Sequence, residues 1–160
     1  MAAKILVPID FSPMTPMVVS WAASLARDRN ASLILLHVQE PIADPYAGEM
    51  YIPMPVQENA GIHRALVQTA PADPHIHFEH RLVLGAASDL ILKVAEEEQV
   101  ELIVMGSHGR SWLGQILMGS VAEHVMRHAT CPVLIVKQQC STPADAKHRV
   151  EKAAPIAKPG

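Results

Sequence analysis

Five short strand-like runs, most of them apolar, alternate along the chain with segments whose apolar residues recur at helical spacing. The first run, Lys4 to Ile9 (KILVPI), predicts a strand ending at Asp10. Ser12 then reads as a helix N-cap with Pro13 at the first helical position. Met17, Val18, Trp21, Ala22 and Leu25 follow at three- and four-residue steps, and Asn30 is a natural stop. Ser32 to Val38 (SLILLHV) predicts the second strand. Gln39 to Val56 carries prolines at 41, 45, 53 and 55 and reads as a long mobile loop. Gln57 to Ala70 predicts a weaker helix, and His77 to Leu84 a third strand closed by Gly85. Ser88 to Gln99 predicts a helix with Leu90, Ile91, Val94 and Ala95 on its buried side. Glu101 to Met105 predicts the fourth strand and Val133 to Lys137 (VLIVK) the fifth. Between them the pair Gly119-Ser120 opens a helical pattern through Val121-Ala122-Glu123-His124-Val125-Met126.

Strands that are apolar on both faces, alternating with helices, predict an α/β fold with a parallel sheet covered on both sides. Right-handed crossovers leave few topologies for it. From Gln138 onward Ala, Pro, Lys and Ser dominate and periodicity vanishes. This predicts a disordered tail over 138–160 and a folded domain over 1–137.

Composition narrows the function. The chain has 160 residues, 49% apolar but only 4% aromatic, so Val, Ile, Leu, Met and Ala must build the core. A net charge of −3 and no basic face argue against a nucleic-acid partner. No apolar stretch is long enough to span a bilayer. The short run after Met1-Ala2-Ala3-Lys4 meets Pro8 and Asp10 and does not read as a signal peptide. Two cysteines, Cys131 and Cys140, make no disulfide framework. The expectation is a soluble cytoplasmic protein with no membrane association.

The chemistry concentrates after the fourth strand. Gly106-Ser107-His108-Gly109, nine residues, then Gly119-Ser120 place a glycine loop between a strand end and a helix start. Glycine admits close approach of backbone to ligand, and free N–H groups at a helix head hold anions. A phosphate cradle is one reading; a capping box between Ser120 and Glu123 is the other. In open α/β sheets ligands sit beyond the carboxyl strand ends where strand order reverses. If strands one and four adjoin there, Asp10 and Gly106 face one crevice. Asp10 then binds a ribose or base, or else caps the turn at Ser12. Pro8 lacks an N–H and marks where pairing stops. Arg110 pairs with a phosphate or sits solvated in the loop. His108 touches the polyphosphate or moves a proton, with a binding or purely structural role favoured over catalysis. No Walker A loop, G-x-G-x-x-G or G-x-S-x-G is present. His75, His77 and His80, and the pair His124 and His128, form no closed metal shell. Neither a metal site nor a catalytic residue is expected.

Several stretches together resemble the universal stress protein family: KILVPIDFS at 4–12, LLHV at 35–38, Gly85, IVMGSHG at 103–109 and CPVLIV at 131–136. The likeness runs from about Lys4 to Lys137. Its most specific part is G-x2-G-x9-G-[ST], which in that family marks ATP-binding members. The resemblance implies an open five-stranded parallel sheet of order 3-2-1-4-5, Rossmann-like, with helices on both faces. It implies ATP as the ligand, with Mg2+ as the accompanying ion. Asp10 would engage the nucleoside and the Val38 backbone the adenine edge. Pro8, Ile9 and Met105 would shape the pocket. Gly106, Gly109, Gly119, Ser120 and Val121 would cradle ribose and phosphates, with His108 and Arg110 inside the motif span. It also implies a homodimer through the last strand, Val133–Val136, an apolar edge that tends to find a partner.

Three functions follow. The first is a nucleotide-dependent stress-response or signalling module that binds ATP. The second is a slow ATPase or self-phosphorylating enzyme with Ser120 or Ser107 as acceptor, although no general base or Walker lysine stands out. The third is an interaction scaffold whose glycine loop is structural.

Overall fold

The computed structural model describes residues 3–40, 60–107 and 118–137. Among these residues the elements run β1 (Lys4–Pro8), α1 (Thr15–Arg29), β2 (Ser32–Gln39), α2 (Ala60–Gln68), β3 (Phe78–Leu84), α3 (Ala87–Glu97), β4 (Leu102–Gly106), α4 (Ser120–His128) and β5 (Val133–Val136). The strands form one parallel sheet of order β3-β2-β1-β4-β5, as expected. Neighbouring registers include Leu6 against Ile34 and Ile103, and Met105 against Ile135.

The core lies on both faces of the sheet because side chains alternate along each strand. Ile5, Val7, Leu33 and Leu35 face α1 and Leu66 of α2. Leu6, Ile34, Leu36, Ile103 and Met105 face α3 and α4. The central strands β1, β2 and β4 are therefore covered on both faces, which is why they read as largely apolar runs. On α3, Ile91, Val94 and Ala95 are buried as the helical spacing predicts, while Leu90 is only half-buried.

Helix α1 starts later than expected. Met14, not Ser12, is its N-cap, and Pro16 rather than Pro13 occupies the first turn. A start at Pro13 would put Pro16 where a helical N–H is required, and proline has none. Ser12 instead builds the preceding turn, its Oγ accepting from Met14 N at 3.3 Å and its carbonyl from Thr15 N at 3.0 Å. The stop at Asn30 is found: it is left-handed (φ 51°), and Ala31 N reaches back to Ala26 O at 2.9 Å. Gly85 closes β3 at φ +144°, with its N–H on Gln39 O. That φ favours glycine, and a Cβ there would also push Leu90 Cδ1, 2.9 Å away, aside. Most of the proline-rich stretch 39–56, and the tail 138–160, lie outside the described residues. Among the described residues, no helix is long and apolar enough to cross a membrane.

Candidate functional site

Strand order reverses between β1 and β4, and the two strands part there. Their pairing ends at Leu6 and Ile103, whereas β1 pairs with β2 as far as Pro8 and Leu36. Successive peptide groups in a strand point to opposite sides. Ile9 N donates to Leu36 O of β2 at 2.7 Å, so the Pro8 nitrogen faces β4. The next rung on that side needs an N–H that proline lacks. Pro8 thus ends the ladder to β4 chemically, while β4 itself continues beside β5 to Gly106 and Val136. A gap in the β1–β4 ladder at the carboxyl ends is the consequence.

The β1–α1 connection lines one side of it. The Asp10 carboxylate accepts from Ser12 N at 2.9 Å and from Thr15 Oγ1 at 3.3 Å. The turn-capping role considered for Asp10 is therefore real, and it holds the half-buried carboxylate at the strand end. Phe11 follows at φ +57°, in the left-handed region that costs a non-glycine residue about 1–2 kcal/mol. Its ring packs on the buried His37 imidazole at 4.5 Å between centroids. Backbone strain next to a polar loop is a hallmark of sites rather than of scaffolding.

The other side is the head of α4. Ser107 N donates to Val136 O at 2.9 Å, and Gly119 N donates to Ser107 O at 2.7 Å. Those bonds bring Gly119 against the end of β4, so the first and last glycines of the spaced motif converge. Gly119 is the N-cap in extended conformation (ψ 152°), and no side chain among the described residues caps the helix. The capping box does not form: Ser120 is already the first helical residue, and Glu123 pairs with Arg127 at 2.8 Å. The N–H groups of Ser120 and Val121 therefore sit outside the helical ladder, at the positive end of the dipole. Glu123, in the first turn, also suits that end.

Pro8, Ile9, Asp10, Val38, Met105, Gly106, Gly119, Ser120 and Val121 all lie at this one end of the sheet. Ile9 and Met105 are buried, Gly106 and Val121 half-buried, and Ser120 exposed. His108, Gly109 and Arg110 lie outside the described residues. Sequence reasoning passed over Thr15 as a partner of Asp10, and Phe11 and His37 beneath it. A polar residue inside the apolar run SLILLHV was the available signal for His37. Among the described residues no three side chains gather as metal ligands.

Comparison with known proteins places this arrangement. Residues 1–137 match the Universal stress protein family. Universal stress protein A homolog 1 of Coxiella burnetii is 33% identical over 136 residues, spanning 82% of this chain and 94% of that protein. A universal stress protein of Archaeoglobus fulgidus superposes with a TM-score of 0.67 at 24% identity, covering 86% of this chain and all 100% of the other, a likeness of fold. A universal stress protein solved in complex with cAMP superposes with a TM-score of 0.63 at 28% identity, covering 85% and 97%. The chain belongs to the universal stress protein family.

Proposed function

We propose that this protein binds an adenosine nucleotide, ATP in the first place, between β1 and β4, and acts in the cytoplasm as a nucleotide-dependent stress-response module. The observation that carries this reading is the parting of the two strands at Pro8, with a pinned, uncapped helix head on one side and a held carboxylate on the other. The relative solved with cAMP supports the same ligand class.

Each residue then has a task that its chemistry allows. Asp10 accepts from ribose hydroxyls. Pro8, Ile9 and Met105 pack against the nucleoside. Phosphates lie on the N–H groups of Ser120 and Val121 and the Ser120 hydroxyl, where Gly106 and Gly119 leave room. His108, Gly109 and Arg110, between these glycines in the sequence, bring an imidazole, a glycine and a guanidinium suited to phosphate. Val38 offers its peptide edge to adenine. In β2, Leu33 N and Gln39 O bond toward β3, so even-numbered peptide groups face β1. Leu36 O takes Ile9 N, and Val38 lies one rung further, past the end of β1 at Pro8. Near the helix head Glu123 is engaged with Arg127, so Mg2+ would ride on the phosphates and keep most of its waters.

Calorimetric titration with ATP, ADP and AMP tests the proposal, together with assay of nucleotide released on denaturing freshly purified protein. Saturable heat with one site per chain is expected. No response at millimolar ATP would sink the reading.

One observation favours an enzymic variant. The Ser120 residue is exposed at the helix head, whereas Ser107 is 1% exposed. Incubation with γ-labelled ATP is then expected to label wild type but not Ser120→Ala. The assembly we propose is a homodimer through β5, an edge strand whose Val133, Leu134 and Ile135 remain half-buried. Light scattering at tens of micromolar should give twice the chain mass.

A further inference from the structure

His37 is a buried polar side chain, 5% exposed, near the carboxyl end of β2, and the nucleotide reading leaves it without a task. Its ring sits where the β1–β2 ladder stops. In a regular parallel ladder, the bond from Ile9 N to Leu36 O is followed by one from Val38 N to Ile9 O. Among the described residues that rung is missing. Ile9 O is met instead by the His37 Nδ1–H at 2.6 Å. A carbonyl only accepts, so Nδ1 carries the proton in this bond. The imidazole thereby replaces a main-chain donor with a side-chain donor from the preceding residue.

We infer that His37 is a positioning residue that ends the β1–β2 ladder by taking Ile9 O, and so keeps the Val38 N–H open for the adenine edge. This rests on the nucleotide-binding reading and deepens it. Pro8 and His37 then act as a pair. Proline withholds the rung on the β4 side, and histidine occupies the rung on the β2 side. Between them the chain leaves the sheet at Asp10 with both peptide groups of the buried Ile9 satisfied, so no orphaned carbonyl opposes the opening. Phe11 packs on the same ring at a tilt of 41°, and this contact offsets the cost of its left-handed backbone.

Two variants test it. His37→Asn puts an amide nitrogen where Nδ1 stands and keeps the donor to Ile9 O. His37→Val removes the donor and leaves Ile9 O for Val38 N–H. Amide exchange of Val38, followed by NMR on protein stripped of nucleotide, is expected to be fast in wild type and His37→Asn. In His37→Val it should slow by at least about tenfold as the rung closes. ATP affinity by calorimetry should fall about tenfold in His37→Val and stay within about twofold in His37→Asn. Unchanged exchange in His37→Val overturns the inference. So does slowed exchange with unchanged affinity, since the rung would then close without harm to binding. The exchange readout stands apart from the nucleotide reading: wild type that binds no ATP defeats that reading, and Val38 still reports on the rung. If melting shows that His37→Val does not fold, His37→Gln takes its place with the same expected results, because its amide lies beyond the Nδ1 position.

Discussion

The two ends of β1 are built on opposite terms. At the amino end the backbone is joined on both sides, Ser32 N to Ala3 O and Glu101 N to Lys4 O, each at 2.9 Å. An ion cluster covers that end: Glu98 takes Lys4 Nζ at 2.6 Å and Arg81 at 2.7 Å, and Arg81 also reaches Glu79 at 2.9 Å. At the carboxyl end a proline removes one rung, an imidazole substitutes for another, and Phe11 stands in a left-handed conformation. Between the ends lie Ile5, Leu6 and Val7, none more than 1% exposed. The same strand is therefore paired on both sides at one end and interrupted on both sides at the other, a few residues apart. Backbone pairing is complete at the amino end and interrupted at the carboxyl end, which is where the proposed nucleotide would lie.

The largest expected effect comes from removing what both ends share. Leu6→Ala should lower unfolding free energy by about 2–5 kcal/mol, read from urea midpoints, because the sheet cannot collapse onto the cavity. Equal affinity for ATP per folded molecule would show that the core serves both ends alike. Next is Asp10→Asn, which keeps the acceptor to Ser12 N and Thr15 but removes the charge. ATP affinity should fall by about 1.5 kcal/mol while the melting temperature barely moves. A large stability loss instead would make Asp10 a scaffold residue and erase the contrast between the ends.

The amino end should answer to pH rather than to nucleotide. Hydrogen bonds from Lys4 first and Arg81 second hold the Glu98 carboxyl below its ordinary value of 4.5. A lowered folded-state value means that the stabilisation is present above pH 4.5 and is lost as pH falls through the folded value. Glu98→Gln should therefore cost under about 1 kcal/mol near neutrality, since Lys4 and Arg81 are partly exposed. Its melting difference from wild type should vanish in acid, with ATP binding unaffected throughout. The smallest effect is Arg127→Ala on the outside of α4, about 0.3–0.5 kcal/mol from the loss of its pair with Glu123.

Legibility followed periodicity. The strand-like runs at 4–9, 32–38, 77–84, 101–105 and 133–137 each correspond to a strand within a residue or two. The signal is clearest in β1, β2 and β4, where burial on both faces leaves a largely apolar run, and weakest at the half-exposed edge strand β3. The start of α1 was not legible in the same way. Ser12-Pro13 and Thr15-Pro16 are both credible helix openings, and only the position of Pro16 against the helical ladder chooses between them. The spaced glycines were legible as a motif, yet Ser120 as a cap was not, since Gly119 takes that position once its N–H is fixed to Ser107 O.

By itself, then, the sequence determined the alternation of strands and helices, the parallel class of the sheet and the concentration of glycines after the fourth strand. Those properties are written in local spacing and in residue type. The tertiary structure decided which peptide groups go unpaired. That Pro8 faces β4 rather than β2, that His37 reaches Ile9 O, and that Gly119 meets Ser107 all depend on register between strands and on residues up to 28 positions apart coming within hydrogen-bond distance. Long-range geometry of this kind leaves no periodic trace along the chain, because it is set by which neighbour each strand finds.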